Sequence, residues 1–158
     1  MTALQVPDQE CTMSFPRLVP ALTLFLLCLT ALAAAWQQTL RIEADDLMRF
    51  KPTRLTATAG SDLTVELVNT GRIQSLQHNF VLLAQGTDIA RFGNAAMNAK
   101  ANGYIPKGMK DQVIAYTGLV APGQSAKVTF KVPGPGTYTY ICSYPGHFSS
   151  SKGTLQAE

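Results

Sequence analysis

Lys127 to Cys142 reads KVTFKVPGPGTYTYIC. Val128, Phe130 and Val132 alternate with Lys127, Thr129 and Lys131. That period of two gives a strand one buried and one wet face. Pro133-Gly134-Pro135-Gly136 withdraws backbone donors and frees φ, so it stops the strand. Thr137 to Cys142 starts the next one, with Tyr138, Tyr140 and Cys142 on the same face and expected in the core.

The same grammar extends in both directions. Leu63, Val65 and Leu67 alternate with Asp62, Thr64 and Glu66, and Asn69-Thr70-Gly71 supplies a turn. Asn79–Leu83 (NFVLL) and Val113–Tyr116 (VIAY) are short apolar runs, and Ala121-Pro122-Gly123 turns the chain before Lys127. Shorter strands are expected at Leu40–Glu43, around Leu55 and Ala57, and at Gly153–Gln156. Seven or eight short strands over the last ~120 residues predict an all-β, two-sheet Greek-key sandwich or barrel. Thr87–Lys110 breaks the pattern with three Asn, three Gly and one Pro among scattered apolar residues. It reads as an inserted loop with a short helix around Ile89–Ala99, a flap over one end of the barrel.

Composition excludes several classes. The chain has 158 residues, 46% of them apolar and 15% charged, too apolar for disorder. Thirteen basic against ten acidic residues give +3 without clustering, so a nucleic-acid footprint is absent. No GxGxxG or GxxxxGK[ST] occurs, and the length leaves no room for a multi-domain enzyme.

Leu18–Ala35 (LVPALTLFLLCLTALAAA) is 18 residues without a charge, preceded by Arg17 and closed by Ala33-Ala34-Ala35. This is the form of a secretory leader helix, or of a retained anchor since the run just spans a bilayer. Leu27 before Cys28 is too bulky for the usual lipid-attachment pattern. The expected domains are 1–35, signal peptide or signal anchor, and 36–158, exported to the periplasm or another extracytoplasmic space. Cleavage after Ala35 leaves +4 and one cysteine, Cys142. Exported domains normally pair their cysteines, so a single thiol asks for an occupant.

That thiol stands in Cys142-Ser143-Tyr144-Pro145-Gly146-His147, and the other histidine, His78, opens a core strand far upstream. Strand ends meeting at one pole could bring the three together. Thiolate favours Cu(I), imidazole suits both copper oxidation states, and trigonal His₂Cys is the blue-copper donor set. Other chemistries use the same residues. A Cys–His nucleophile pair finds no third histidine, aspartate or oxyanion motif to complete it. A Cys-His-His zinc site with an open position finds no nearby Glu to serve as base. A buried inert thiol in a metal-free sandwich is the plainest alternative.

The motifs also carry a resemblance. Gln77-His78-Asn79-Phe80-Val81-Leu82 resembles the HN-aromatic-V-L segment of the azurin/auracyanin branch of the cupredoxins. Cys142–His147 is similar to their C-[ST]-[FY]-P-G-H loop, and Lys152-Gly153-Thr154-Leu155 to their closing strand. Val113–Thr117 and Val128-Thr129-Phe130 fit the same pattern. The resemblance implies one copper, cycling Cu(I)/Cu(II), held by His78, Cys142 and His147. It implies a weak axial carbonyl from Gln77, and Asn79 with Ser143 tying the ligand loops together. Pro145 would stiffen the loop. His147 would be the solvent-edge imidazole beside Phe148, where redox partners such as cytochromes dock transiently. Neither nucleic acid nor a small-molecule substrate is implied, nor an enzyme in itself, and membrane contact only through an uncleaved leader.

One position departs from the pattern. Loops of this kind run C-x4-H-x3-M, and here the last residue is Ser151, in a register fixed by Lys152-Gly153-Thr154-Leu155. Met48, Met97 and Met109 lie elsewhere. A Ser151 oxygen, or a water it admits, is expected in place of the axial sulfur, with altered colour and potential. The substitution keeps a second function in view, a copper chaperone or store of the same fold.

Overall fold

The computed structural model describes residues 37–158. The leader, with its expected helix and cleavage point, lies outside the described residues. Nine strands follow in chain order: β1 (Gln38–Ala44), β2 (Phe50–Lys51), β3 (Arg54–Ala57), β4 (Asp62–Asn69), β5 (Val81–Leu83), β6 (Val113–Tyr116), β7 (Ser125–Lys131), β8 (Gly136–Ile141) and β9 (Lys152–Ala157). They form two sheets, β2-β1-β4-β7 and β3-β9-β8-β5-β6. Both sheets are mixed. β1 runs parallel to β4 and β3 parallel to β9, and the remaining pairs are antiparallel.

The inward residues of both sheets make one core. Ile42, Leu63, Val65 and Leu67 come from the first sheet, and Phe80, Leu82, Tyr140, Cys142 and Leu155 from the second side. Tyr140 and Tyr138 are core residues, as their parity predicts. The Tyr140 hydroxyl donates to the Pro52 carbonyl and that of Tyr138 to Gly134. Such buried phenols need these partners, because an unpaired buried hydroxyl costs about 1–3 kcal/mol.

The 87–110 segment differs in part from the expected flap. Its helix, α1 (Ile89–Ala96), starts at Asp88, whose side chain accepts from the Arg91 N–H. The helix does not lid the barrel end. Phe92, with Ile105 and Met109, packs on Val81, Leu83 and Ile141, which point away from the main core. The helix, Ile105 and Met109 therefore cover the outer face of the five-stranded sheet, while Gly103 and Tyr104 of the same segment reach the ligand loops at the end of the barrel. All three residues of β5 are buried because both faces of that strand are covered. NFVLL thus reads as a continuous apolar run for a reason that periodicity alone could not give.

Only Val81–Leu83 of that run is strand. His78 and Asn79 precede it, with His78 held by an isolated bridge to Val120. This end of the sandwich carries the site.

Candidate metal centre

Three separate stretches deliver the side chains. His78 is fixed by its own backbone, which donates to the Val120 carbonyl at 3.1 Å and accepts from the Val120 N–H at 2.7 Å. Cys142 directly follows β8, and its N–H donates to the Ser151 carbonyl. His147 closes a tight turn. Pro145 and Gly146 occupy its central positions, Gly146 has φ +82°, and the His147 N–H donates to the Tyr144 carbonyl at 3.0 Å. Pro then Gly with positive φ is the requirement of a type II turn.

The donor atoms converge. Cys142 Sγ lies 3.6 Å from His147 Nδ1, which lies 3.3 Å from His78 Nδ1. All three atoms are within 4.8 Å of one another and all three residues are buried. A trigonal ion bonded to nitrogen at about 2.0–2.1 Å and to sulfur at about 2.3 Å separates its nitrogens by about 3.5 Å and nitrogen from sulfur by about 3.8 Å. The two distances at His147, 3.6 and 3.3 Å, are close to that frame, and the His78 nitrogen and the sulfur lie within 4.8 Å of each other. His78 Nε2 is buried without a hydrogen-bond partner among the described residues. An ion on Nδ1 would fix the proton on Nε2.

Burial dominates the electrostatics. It pushes the Cys142 thiol up to about 12, against the backbone N–H groups of Asn79 and Tyr144. It lowers His147 to about 4, with His78 adding repulsion. It lowers His78 as well, opposed by the Asp45 carbonyl and the charges of Asp45 and Asp46. At neutral pH the metal-free pocket is a thiol and two neutral imidazoles, ligands whose only proton to lose is the thiol's.

Asn79 connects the loops as the resemblance implies. Its amide donates to Ser143 Oγ at 2.9 Å and to the Gly103 carbonyl at 3.3 Å, and its Oδ1 accepts from the Ser143 N–H at 2.8 Å. Its N–H faces Cys142 Sγ at 3.5 Å. Gln77 is half-buried beside His78.

Ser151 is fully buried, unlike Ser149 and Ser150. Its N–H donates to the His147 carbonyl at 2.8 Å, and its hydroxyl donates to the carbonyl of Met48. The hydroxyl hydrogen is thus already committed, while the oxygen keeps a lone pair. Met48 itself sits at φ 55° in the turn between β1 and β2.

His147 is 2% exposed, and its Nε2, which makes no hydrogen bond among the described residues, is not buried, so a narrow edge of the ring reaches solvent. The Tyr144 ring lies against it at 4.9 Å between centroids. One expectation needs correction. Phe148 is not a free apolar patch. It packs on the outer-face cluster, its ring so close to Gly93 that a Cβ there would clash with it.

Sequence reading missed several supports. Asp46 accepts from the N–H groups of Arg72 and Ile73, fastening the β1–β2 turn to the segment before His78. Tyr104 stacks edge-on against Tyr144 at 5.2 Å. Both are tertiary juxtapositions with no local signature.

A two-sheet β-sandwich with two imidazoles and a thiol gathered at one pole defines a mononuclear copper-binding class, the cupredoxins. Comparison with known proteins agrees. Residues 37–158 match the family described as copper binding proteins, plastocyanin/azurin family. The chain is 36% identical over 121 residues to auracyanin-B of Chloroflexus aurantiacus, covering 75% of this chain and 51% of that protein. The auracyanin B structure superposes with a TM-score of 0.69 at 35% identity, over 77% of this chain and 88% of that one. Azurin iso-2 of Methylomonas sp. strain J is 33% identical over 124 residues, 74% of this chain and 95% of that protein. A copper-resistant cuproprotein, CopI of Rubrivivax gelatinosus, is 32% identical over 120 residues, 75% of this chain and 64% of that protein. The chain therefore spans about half of auracyanin-B and nearly all of azurin iso-2. It belongs to the copper-binding plastocyanin/azurin family.

Proposed function

We propose that this protein is an exported single-electron carrier whose one copper is held by His78, Cys142 and His147, without enzymatic activity of its own. The observation that carries the reading is the convergence of the two Nδ1 atoms and Sγ in a buried, hydrogen-bonded frame. When bound, copper supplies reversible one-electron redox chemistry. The chain's own contribution is to fix the ligands. Asn79, Ser143 and the Pro145-Gly146 turn hold them from both sides, so little needs to move when the charge changes. Burial keeps water and competing oxidants off the sulfur.

Gln77 would contribute a weak axial carbonyl and Ser151 a weak oxygen where relatives of this pattern carry methionine. Residues 1–35 would direct export, as signal peptide or anchor, placing the domain in the periplasm or an equivalent extracytoplasmic space. Its partners would be redox proteins, cytochromes among them.

Ser151, and the likeness to a protein named as a copper-resistant cuproprotein, support a second reading as a copper store or chaperone. Electron self-exchange of the copper-loaded chain separates the two. A carrier exchanges rapidly. A protein that binds copper tightly and exchanges electrons slowly is a store.

A further inference from the structure

We propose that the metal pole is a docking face for an acidic redox protein, one that presents clustered carboxylates around its own redox centre. The proposal rests on the carrier reading above and adds to it the charge of the partner.

Charges scattered along the sequence gather in space at this end. Residues 37–158 hold twelve basic and eight acidic side chains. Strand register sorts them between the two ends of the sandwich. β1 begins opposite Leu63 and ends opposite Asn69, whose amide donates to the carbonyl of Val120, the bridge partner of His78. The end of β1 is therefore the metal pole. Arg49 and Lys51 follow it and share the single carboxylate of Asp45, at 3.4 and 3.7 Å. The Met48 carbonyl in the same turn accepts from Ser151, and Lys152 comes next in the chain. Asp46 accepts from the N–H groups of Arg72 and Ile73, and Arg72 is exposed. Lys100 lines a cleft of about 370 Å³ beside Tyr144, whose ring lies on His147.

Five exposed cations thus stand against two carboxylates. Among the described residues Arg72, Lys100 and Lys152 are in no ion pair, while the nearby Arg41 and Glu43 cancel one another at 3.0 Å. The far end holds no such excess. Asp62 opens β4 there and meets Lys131 at 3.6 Å, and Glu158 ends the chain where its carbonyl accepts from the Ala59 N–H. Asp88 and Arg91 lie beyond the Leu83 end of β5, where the Gln85 amide donates to the Thr137 carbonyl.

The metal pole also carries apolar surface. Leu47 and Ile73 are 62% and 49% exposed, on the two turns that Asp46 fastens together. An apolar patch rimmed by charge is the anatomy of a protein interface. Carboxylates of the partner would feel the rim at long range, which speeds encounter and sets orientation. The open edge of His147 lies at the same end, so a partner docked there stands close to the metal ligands. Each encounter passes one electron from the reduced protein to the oxidised one, and no bond or proton changes hands.

The test uses the full chain loaded with copper and reduced. Its oxidation is followed with hexacyanoferrate(III), a trianion that takes one electron, and with tris(phenanthroline)cobalt(III), a trication that does the same. Between about 10 and 200 mM salt the rate with the anion should fall about tenfold and the rate with the cation should rise. Self-exchange brings two like poles together, so it should rise about fivefold over the same range. Arg72→Glu combined with Lys100→Glu should lower the low-salt rate with the anion about tenfold at an unchanged visible spectrum, and Arg91→Glu at the far end should leave it within about twofold. Rates indifferent to salt, or an equal loss from Arg91→Glu, overturn the proposal. Slow self-exchange at every salt concentration overturns the carrier reading and with it the redox character of the partner. The acidic face of that partner is read separately, without copper. Poly-L-glutamate added to the metal-free chain should shift the amide resonances of Arg72, Ile73 and Lys100 before those of the far end. Shifts centred on the far end contradict the assignment. Binding to phosphatidylglycerol vesicles without any response to poly-L-glutamate would make this a membrane-facing surface and overturn the protein partner.

Discussion

The Nδ1 atoms of His78 and His147, 69 residues apart in the chain, face each other at 3.3 Å in a buried pocket. Two neutral imidazoles placed this way present at most one hydrogen between two acceptors. Adding a proton there is unfavourable, because burial and mutual repulsion both oppose it. A cation shared with the Cys142 sulfur resolves the arrangement, and the fold holds the nitrogens apart at a spacing suited to one.

Copper uptake should release one proton near pH 7. The Cys142 thiol is protonated until about 12 and His147 is neutral down to about 4, so only the thiol gives up hydrogen. Calorimetry in two buffers of different ionisation heat counts it. A count near zero would mean the sulfur is not a ligand.

The same burial makes the metal-free chain sensitive to acid. His147 has a folded value below its ordinary 6.5, so folding favours the neutral ring. Its contribution is present above 6.5 and is lost as pH falls toward about 4. The thermal midpoint should decline across that window. A flat profile would contradict the buried position of the ring.

Ser151→Ala removes the donor to the Met48 carbonyl and should cost the metal-free chain about 1–2 kcal/mol in denaturant unfolding. Ser151→Met tests the axial proposal separately. It should move the optical and paramagnetic spectra of the copper-loaded protein toward the ordinary blue signature. Unchanged spectra would place residue 151 away from the metal.

The strand grammar was legible because alternation such as Leu63-Val65-Leu67 records a single buried face. His78, Cys142 and His147 could be singled out because they are the chain's two histidines and the one cysteine outside the apolar N-terminal stretch. The packing of Tyr144 against His147 could not, since it depends on how Tyr144 and Tyr104 meet across the fold. Nor could the placement of α1, whose scattered apolar residues reveal a buried face without naming the sheet it covers. The two-residue β2 is too short to carry any period. Ser151 stood out only as a missing methionine, and its bond to Met48 belongs to tertiary structure.

Asn79→Ala should lower copper affinity about 10–100-fold while leaving all three proposed ligands in the chain. It strands the Ser143 N–H and frees the Gly103 loop, so the metal-free chain should lose about 1–3 kcal/mol as well. Competition against a chromophoric copper chelator measures the first effect and urea unfolding the second. An affinity unchanged within twofold would show that the loops hold their geometry without it.

The most direct measurement is the visible spectrum of the copper-loaded full chain beside Cys142→Ala. The sulfur is fully buried within reach of both imidazoles. Wild type should show strong thiolate-to-Cu(II) absorption with one copper per chain, and the variant should lose it. The same spectrum from both proteins would contradict the metal centre described above.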